Sequence, residues 1–244
     1  VDDVPTVSTD FATAALTLDE DNLADGSSPD SNALSVSGSL FSTDNTGSFS
    51  FGADGGSITG IAINGVNTSL GSETSTTVFF AQNGTSLGTT SSGAAASLLV
   101  NADGTYTFSL LNNLLLDGTN NGQQTESLSA INNNSIVLLG QDNDGDLINS
   151  GNGIALTLNV VDDVPTVSTD FATAALTLDE DNLADGSSPD SNALSVSGSL
   201  FSNDNTGSFS FGADGGSITG IAINGVNTSL GSETSTTVFF AQNG

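Results

Sequence analysis

An internal repeat constrains this chain more than any other feature of its sequence. Residues 1–84 recur as residues 161–244, and the two copies are identical at 83 of 84 positions, with Thr43 replaced by Asn203. The period is therefore 160 residues. Near-identity at this spacing is typical of a tandem array, in which each unit contacts mainly its neighbours along the chain. We expect a monomeric rod whose partners are the neighbouring repeats of the same chain.

All charged side chains in the sequence are acidic. The 244 residues include 28 Asp and Glu but no Lys, Arg or His, so the net charge at pH 7 is -28. Nucleic acids and anionic membrane surfaces are bound through cationic side chains, so neither is expected as a direct partner. No apolar run reaches the roughly 18 residues that cross a bilayer, and no direct membrane insertion is expected.

Enzymatic activity is not expected either. The absence of His and Cys removes imidazole bases, thiol nucleophiles and zinc sites. Two carboxylates alone can hydrolyse glycosides. Glycosidases also use aromatic side chains to stack on sugars, and this chain has no Trp and one Tyr.

Short segments of alternating residues predict an all-β fold made of Ig-like antiparallel β-sandwiches. In residues 48–51 and 105–108 aromatic rings alternate with hydroxyl side chains, as in a half-buried strand. Tight turns are predicted at Asn64, Asn83 and Asp103, each of which precedes a Gly. The predicted strands cover residues 15–18, 33–40, 47–51, 57–63, 76–81, 97–100, 105–111, 135–139 and 154–160.

Three modules are predicted in a linear array: residues 1–84, 85–160 and 161–244. Each has the size of a small sandwich. A hairpin-like segment over residues 78–87 crosses the first border. A split or swapped sandwich, built from segments of two repeats, therefore remains an alternative.

Five sequence strings occur in an order that resembles a known family. They are LDEDNL (residues 18–23), DGSSPD (25–30), NADGTYTFSLL (101–111), QDNDGDL (141–147) and NVVDDVPTV (159–167). Together they resemble the tandem repeats of large, type I-secreted RTX adhesins of Gram-negative biofilms, which are relatives of bacterial Ig-like and VCBS-like repeats. The resemblance covers the whole period. It implies an extracellular extender at the bacterial cell surface, rigidified by Ca²⁺, that holds a distal ligand-binding domain away from the outer membrane.

The composition favours calcium independently of this resemblance. Carboxylates cluster at turns and have no cationic side chain to offset their repulsion. Ca²⁺ binds six to eight oxygen ligands from carboxylates, Asn side chains and backbone carbonyls, which this chain offers. Softer metals would require His or Cys.

Three places are candidate calcium sites. The first is the segment Asp142, Asp144 and Asp146, where acids at alternate positions around Gly145 can converge on one ion. An EF-hand is rejected, because its twelfth position would be Gly153 where a bidentate Glu is needed. A solvated turn is the alternative.

The second place is the junction between repeats. Asp162 and Asp163 precede Pro165, and Asp2 and Asp3 stand at the equivalent positions of the first copy. Proline fixes an extended link here, so an ion shared by neighbouring modules would stiffen it. An ordinary polar linker is the alternative.

The third place is the acidic run at residues 19–21 with its copy at residues 179–181. Alternation along a straight strand sends Glu20 to the side opposite Asp19 and Asp21. The expected ligands are therefore Glu20 with Asp25, and Glu180 with Asp185 in the copy. A surface acidic loop is the alternative.

The sequence thus predicts a Ca²⁺-stabilised stalk of a surface adhesin. The alternative is a β-sandwich module that binds a glycan or a surface in a calcium-dependent way. Identical weak sites in a tandem array could bind with useful avidity. Near-perfect copying favours the stalk, because a binding domain at the tip normally occurs once.

Overall fold

The structure, a computed structural model, describes residues 3–116, 124–129 and 135–241. These residues form short β-strands and 3-10 turns without an α-helix, which confirms the all-β prediction. The described part of the chain contains no helix that is long and apolar enough to cross a bilayer.

The first 160-residue period holds fourteen strands in its described residues. In chain order they are β1 (Thr6–Val7), β2 (Leu16–Asp19), β3 (Ser35–Ser39), β4 (Phe49–Ser50), β5 (Gly56–Ile63), β6 (Val66–Ser69), β7 (Ser75–Phe80), β8 (Ser86–Gly88), β9 (Ala96–Asn101), β10 (Thr105–Leu110), β11 (Thr125–Ser127), β12 (Ile136–Asp142), β13 (Ile154–Ala155) and β14 (Leu158–Val161).

These strands form three larger sheets and one small one. A five-stranded sheet has the order β3-β10-β9-β7-β8, and a four-stranded sheet has the order β13-β12-β5-β6. A three-stranded sheet has the order β11-β14-β2, in which β14 and β2 run parallel while β11 and β14 are antiparallel. Strands β1 and β4 pair separately.

One hydrophobic core lies between these sheets. Alternate residues of β9, β10 and β12 are buried, as period-two patterning requires. The core joins side chains of all three larger sheets, among them Phe80 and Phe108, Ile61 and Leu138, and Leu158. Of the aromatic rings in residues 48–51 and 105–108, Phe51, Tyr106 and Phe108 are buried there, and Phe49 is partly buried against the core.

Each of the nine predicted strand segments overlaps at least one strand of the structure, and these predictions are confirmed. The predicted turn between β5 and β6 is also present. Asn64 and Gly65 both have positive φ, 52° and 78°, as a two-residue hairpin turn of type I′ needs. Strands β1, β6, β8 and β11 were not predicted, since each has at most four residues and little alternation.

The structure does not divide after residue 84, in contrast to the predicted border between modules. Strands β7 and β8 pair across that point. Strand β5 of the first half also pairs with β12 of the second half, β3 pairs with β10, and β2 pairs with β14. Residues 1–84 and 85–160 are therefore two halves of one body, because each supplies the strands that the other needs for its core.

The copy at residues 161–241 has fewer strands. Within the first compact unit, Val1–Asp214, it contributes β15 (Thr166–Val167) and β16 (Phe209–Ser210), which pair with each other. The second unit, Gly215–Gly244, contains the hairpin of β17 (Gly220–Ile223) and β18 (Val226–Ser229) in its described residues.

Candidate metal centres

A 3-10 turn after β2 places the first acidic group. The turn Glu20–Asn22 begins where the Asp19 carboxylate accepts a hydrogen bond from the Asp21 backbone N–H, a typical cap. The chain therefore leaves the extended conformation at Glu20. The alternation that a straight strand would impose on these acids no longer applies.

Glu20 is fully buried. Its Oε1 accepts a hydrogen bond of 2.5 Å from the Leu114 N–H. Among the described residues no hydrogen-bond donor reaches its Oε2. Burial raises the pKa of Glu20 to about 8, opposed by the Leu114 hydrogen bond and assisted by the negative charges of Asp214, Asp162 and Asp163. A buried carboxylate oxygen without a donor is costly unless a proton or a cation neutralises it.

Asp163 joins the first period to the next copy. It is buried, and its Oδ2 accepts hydrogen bonds from the Ser27 N–H (2.8 Å) and the Ala213 N–H (2.9 Å). No described donor reaches its Oδ1. Ser27 follows the acidic turn of the first copy, whereas Ala213 belongs to the second. One carboxylate therefore connects residues that are separated by more than one repeat period.

The second acid beside this junction is Asp21, whose Oδ1 is buried without a described hydrogen-bond partner. Burial and the adjacent Asp163 carboxyl raise the pKa of Asp21 to about 6. Two adjacent carboxyl groups repel each other when both are charged, and a proton or a cation between them relieves that repulsion. Near neutral pH a divalent cation can take that position.

Asp214 brings a further carboxylate to the junction from the second copy. Its Oδ1 accepts a hydrogen bond of 2.7 Å from Asn113 Nδ2, and Asn113 Oδ1 in turn accepts one from Gln82 Nε2 (2.8 Å). One carboxylate oxygen each from Glu20, Asp162 and Asp214 lie within 4.8 Å of one another. We call Glu20, Asp21, Asp162, Asp163 and Asp214 the junction cluster.

The spacing of the junction cluster suits calcium. Ligand oxygens lie about 2.4 Å from Ca²⁺, so two ligands of one ion are at most about 4.8 Å apart. The three grouped oxygens of Glu20, Asp162 and Asp214 satisfy this limit. Glu20 Oε2 and Asp163 Oδ1, which are buried without a described hydrogen-bond partner, are oxygens of the kind that a hard cation prefers.

A second acidic group lies at the end of β12, where Asp142, Asp144 and Asp146 also bring carboxylate oxygens within 4.8 Å of one another. We call these three residues the β12 loop cluster. The loop closes through a hydrogen bond of 3.0 Å from the Asp142 N–H to the Asp146 carbonyl. Gly145 has φ of 106°, a conformation that other residues adopt only with strain.

Asp142 organises this loop. It is 2% exposed, and its Oδ1 accepts hydrogen bonds from the N–H groups of Gly145 (3.0 Å) and Asp146 (2.7 Å). Burial acts to raise the pKa of Asp142, but hydrogen bonds from the Asp144 carboxyl and from these N–H groups outweigh it and hold the pKa below its ordinary value. Its Oδ2 is buried and has no partner among the described residues. The loop thus holds a charged carboxylate with one oxygen available to a cation.

The structure brings the predicted residues Asp142, Asp144 and Asp146 together. It groups Glu20 with Asp162 and Asp214, whereas the sequence assigned Glu20 to a site with Asp25 and Asp162 to a site with Asp163. Asp163 lies near Glu20. Asp25, Glu180 and Asp185 are exposed and belong to neither cluster. Asp3 is exposed, and its Oδ2 accepts a hydrogen bond of 2.7 Å from the Ala53 N–H. Asp2 lies outside the described residues.

Sequence reasoning missed Asp21 and Asp214. A straight strand would point Asp21 away from Glu20, but the chain turns at this point. Asp214 is the copy of Asp54, which reads as an isolated turn residue. Its partner Asn113 lies 101 positions away. The repeat is the one feature of the sequence that indicates such a contact, because it places the residues of a following copy close to the junction.

The raised pKa values predict a pH dependence for the metal-free chain. A carboxyl whose pKa is raised on folding stabilises the folded state below its ordinary pKa, and this contribution is lost as the pH rises through the folded value. The pH range of this loss is bounded by the ordinary and the raised pKa, which are 4.5 and about 8 for Glu20 and 3.8 and about 6 for Asp21. In EDTA we therefore expect the melting temperature, followed by circular dichroism, to fall as the pH is raised from about 5 to about 8. A constant melting temperature over this range would contradict the burial of Glu20.

Comparison with known proteins gives no family for the chain: no protein-family model matches it, and no curated protein matches it.

Proposed function

We propose that this chain is a Ca²⁺-stabilised extender region of a large, type I-secreted bacterial surface adhesin. Its repeats are Ig-like β-sandwiches in a linear array, which hold a distal ligand-binding domain away from the cell for attachment and biofilm formation. The chain has no catalytic role in this proposal. It works outside the cell, where the calcium concentration is millimolar.

The junction cluster is the observation that carries this proposal. Asp163 contacts the N–H groups of Ser27 and Ala213, which lie in successive copies of the repeat. Acids from both copies surround it, and several of their oxygens are buried without a donor. A cation at this place would hold one repeat against the next at a fixed angle. Stiffness at each junction is what an extender needs in order to keep its reach.

The near-identical repeat and the charge support the same function. Identical units lengthen an array without new interfaces, since each junction uses the same residues. The longest strand of the structure, Gly56–Ile63, spans about 26 Å at about 3.3 Å per residue. Each repeat therefore adds a few nanometres of reach. With 28 acids and no cationic side chain, the array is soluble and depends on divalent cations to neutralise its clustered carboxylates.

A matched pair of variants tests the role of the junction. In D163N the carboxylate that bridges Ser27 and Ala213 loses its charge, and a charge-assisted hydrogen bond contributes about 1.5–3 kcal/mol. In D3N the same substitution is made in the same local sequence, but among the described residues the Asp3 carboxylate accepts a hydrogen bond from the Ala53 N–H alone. We expect calcium to make the small-angle scattering profile of the wild type and of D3N more rod-like, and to have little effect on the profile of D163N.

The proposal fails if the scattering profile of D163N responds to calcium as fully as that of the wild type. A glycan array in millimolar CaCl₂ tests the alternative function, a calcium-dependent binding module. Saturable binding of a defined sugar would identify such a module instead of a spacer.

A further inference from the structure

Four phenylalanine rings pack on one another around strand β4. The ring centroid of Phe49 lies 5.0 Å from that of Phe51, 5.5 Å from that of Phe41 and 6.0 Å from that of Phe11. The centroids of Phe41 and Phe51 are also 6.0 Å apart. Phe51 is buried, whereas Phe41 is 53% exposed. These four residues, which we call the Phe41 platform, therefore support one aromatic ring at the protein surface.

The second copy builds the same arrangement from its own residues. The ring centroid of Phe209 lies 4.9 Å from that of Phe211, 5.4 Å from that of Phe201 and 5.9 Å from that of Phe171. Phe201 is 62% exposed. The one residue that differs between the copies, Asn203, lies in the same loop and leaves this packing unchanged. We call these four rings the Phe201 platform.

Neighbouring parts of the array leave the outer ring of each platform exposed. In the first copy, Phe41 is exposed although the described residues of 85–160 and of the following copy up to residue 214 are present. In the second copy, Phe201 is exposed although the described residues of the whole preceding period are present. The two copies have the same sequence here apart from one loop residue. The exposure therefore belongs to the platform itself.

One asparagine fixes the loop that follows β3. Asn45 Nδ2 donates hydrogen bonds to the carbonyl oxygens of Ser39 (2.9 Å) and Leu40 (3.0 Å), and Asn45 Oδ1 accepts one from the Ala14 N–H (3.0 Å). In the second copy Asn205 makes the same three hydrogen bonds, at 2.8, 2.9 and 2.9 Å. The loop is thus ordered before a ligand arrives, so that binding costs little further ordering.

Two carboxylates lie next to the exposed ring of the first copy. A Cβ atom added at Gly104 would be 3.3 Å from Phe41 Cε2, so the turn that contains Asp103 packs against this ring. Hydrogen bonds from the hydroxyl (2.6 Å) and the N–H (2.9 Å) of Thr105 hold the pKa of Asp103 below its ordinary value. Asp44 lies three residues after Phe41 in the same loop. Both acids are exposed, and the chain has no Lys or Arg to pair with them.

We propose that the Phe41 platform and the Phe201 platform are docking points for arginine side chains of a cationic polypeptide partner. A guanidinium group stacks on an aromatic face while its N–H groups bind carboxylates, whereas an ammonium group is a strongly hydrated point charge. The chain carries a net charge of -28 and no cationic side chain, which favours a cationic partner and excludes a second copy of the chain. A neutral sugar can stack on the ring but gains nothing from the charge of the acids.

The repeat multiplies a contact that is weak by itself. One exposed cation–π contact changes an affinity by only about two- to fivefold. A partner that presents several arginines can occupy platforms of successive repeats at once, and linked contacts raise the overall affinity. No platform residue belongs to the junction cluster or to the β12 loop cluster. The inference therefore goes beyond the extender role and does not depend on the calcium sites.

The test compares hexa-arginine with hexa-lysine, two labelled peptides of equal charge, for binding to the full chain. Fluorescence anisotropy is measured in millimolar CaCl₂ and about 0.15 M NaCl, which screens attraction beyond about 8 Å. In F41L/F201L the leucines keep apolar packing but remove the ring faces. We expect this variant to bind hexa-arginine about fivefold more weakly and to change hexa-lysine binding far less. F239L is the matched control, because Phe239 is 88% exposed and belongs to neither platform. It should leave both affinities unchanged.

A second pair of variants tests the carboxylates without altering a ring. D103N removes the charge beside Phe41 but keeps an oxygen that accepts the hydrogen bonds from Thr105. D25N removes the charge of another exposed acid of the same copy. We expect D103N to bind hexa-arginine about twofold more weakly than D25N does, as for an exposed ion pair.

Equal losses of hexa-arginine and hexa-lysine binding in F41L/F201L, or no loss, would show that acids alone hold the peptides and would overturn the proposal. Thermal melts verify that each variant is folded at the assay temperature. If F41L/F201L is not, the comparison of D103N with D25N decides, and equal affinities for hexa-arginine would overturn the proposal. A sugar signal on the glycan array that F41L/F201L loses and F239L keeps would assign the platforms to a sugar instead.

Discussion

Removal of divalent cations is expected to lower the melting temperature of this chain by about 10–20 °C. A ligand at about 100 times its dissociation constant stabilises the folded state by about 2.7 kcal/mol per site. In the function proposed above, the junction cluster and the β12 loop cluster would each bind one ion. For a chain of this size each kcal/mol shifts the melting temperature by about 2–4 °C. EDTA also restores the repulsion among the acids of each cluster, which acts in the same direction.

The measurement is a thermal melt in EDTA, in millimolar CaCl₂ and in millimolar MgCl₂ at equal ionic strength. Calcium should restore the full melting temperature and magnesium only part of it, because Mg²⁺ tends to keep its water ligands where Ca²⁺ accepts six to eight protein oxygens. Equal ionic strength separates binding from general screening of the acidic surface. Equal melting temperatures in EDTA and CaCl₂ would contradict both candidate sites and with them the proposed extender mechanism.

The strands could be predicted from the sequence because their signals are local. In β10, hydroxyl and aromatic side chains alternate from Thr105 to Phe108, and a strand with one face in the core follows from that pattern alone. The turn at Asn64 is equally local, since an Asn-Gly pair adopts positive φ without help from the rest of the fold.

The partners of the strands could not be predicted in this way. Residues 16–19 and 176–179 have the same sequence, yet the first form β2 against β14 and the second form no strand. The segment needs a partner to cover Leu16 and Leu18, and that partner lies about 140 residues away in the chain. Strand propensity therefore depends on tertiary contact here. For the same reason a border at residue 84 was compatible with the sequence but not with the observed pairings.

The same difference between local and distant contacts separates the two candidate sites. Asp142, Asp144 and Asp146 lie within five residues, so their convergence is visible in the sequence. The junction cluster depends on contacts between distant residues, and only Glu20, Asp162 and Asp163 could be proposed from the acidic run and the linker. Asp214 reaches the cluster through the packing of the next copy. The sequence of a single repeat does not show the contact between Asp214 and Asn113, because the two residues belong to different repeats.

A substitution at Glu20 should have opposite effects in the absence and presence of calcium. Near pH 8 in EDTA, E20Q removes a buried carboxyl whose pKa of about 8 lies well above its ordinary 4.5. That difference corresponds to a destabilisation of the wild type on the order of 4 kcal/mol at this pH, because the proton that favours the folded state is being lost. Glutamine keeps the size and the acceptor for the Leu114 N–H without the charge. We expect E20Q to melt on the order of 10 °C above the wild type in EDTA.

In millimolar CaCl₂ the order should reverse, with E20Q melting below the wild type, because the amide replaces a charged ligand of the junction cluster. E180Q is the matched control: it lies in the same local sequence, but Glu180 is exposed, and exposed substitutions change stability by at most about 0.5 kcal/mol. Its melting temperature should follow that of the wild type in both buffers. If E20Q lowers the melting temperature equally in EDTA and in CaCl₂, the Glu20 side chain contributes only to packing and is not a ligand of a cation. A reversal confined to E20Q would instead establish that one buried carboxylate couples calcium binding to folding, since the same charge destabilises the chain without the ion and stabilises it with the ion.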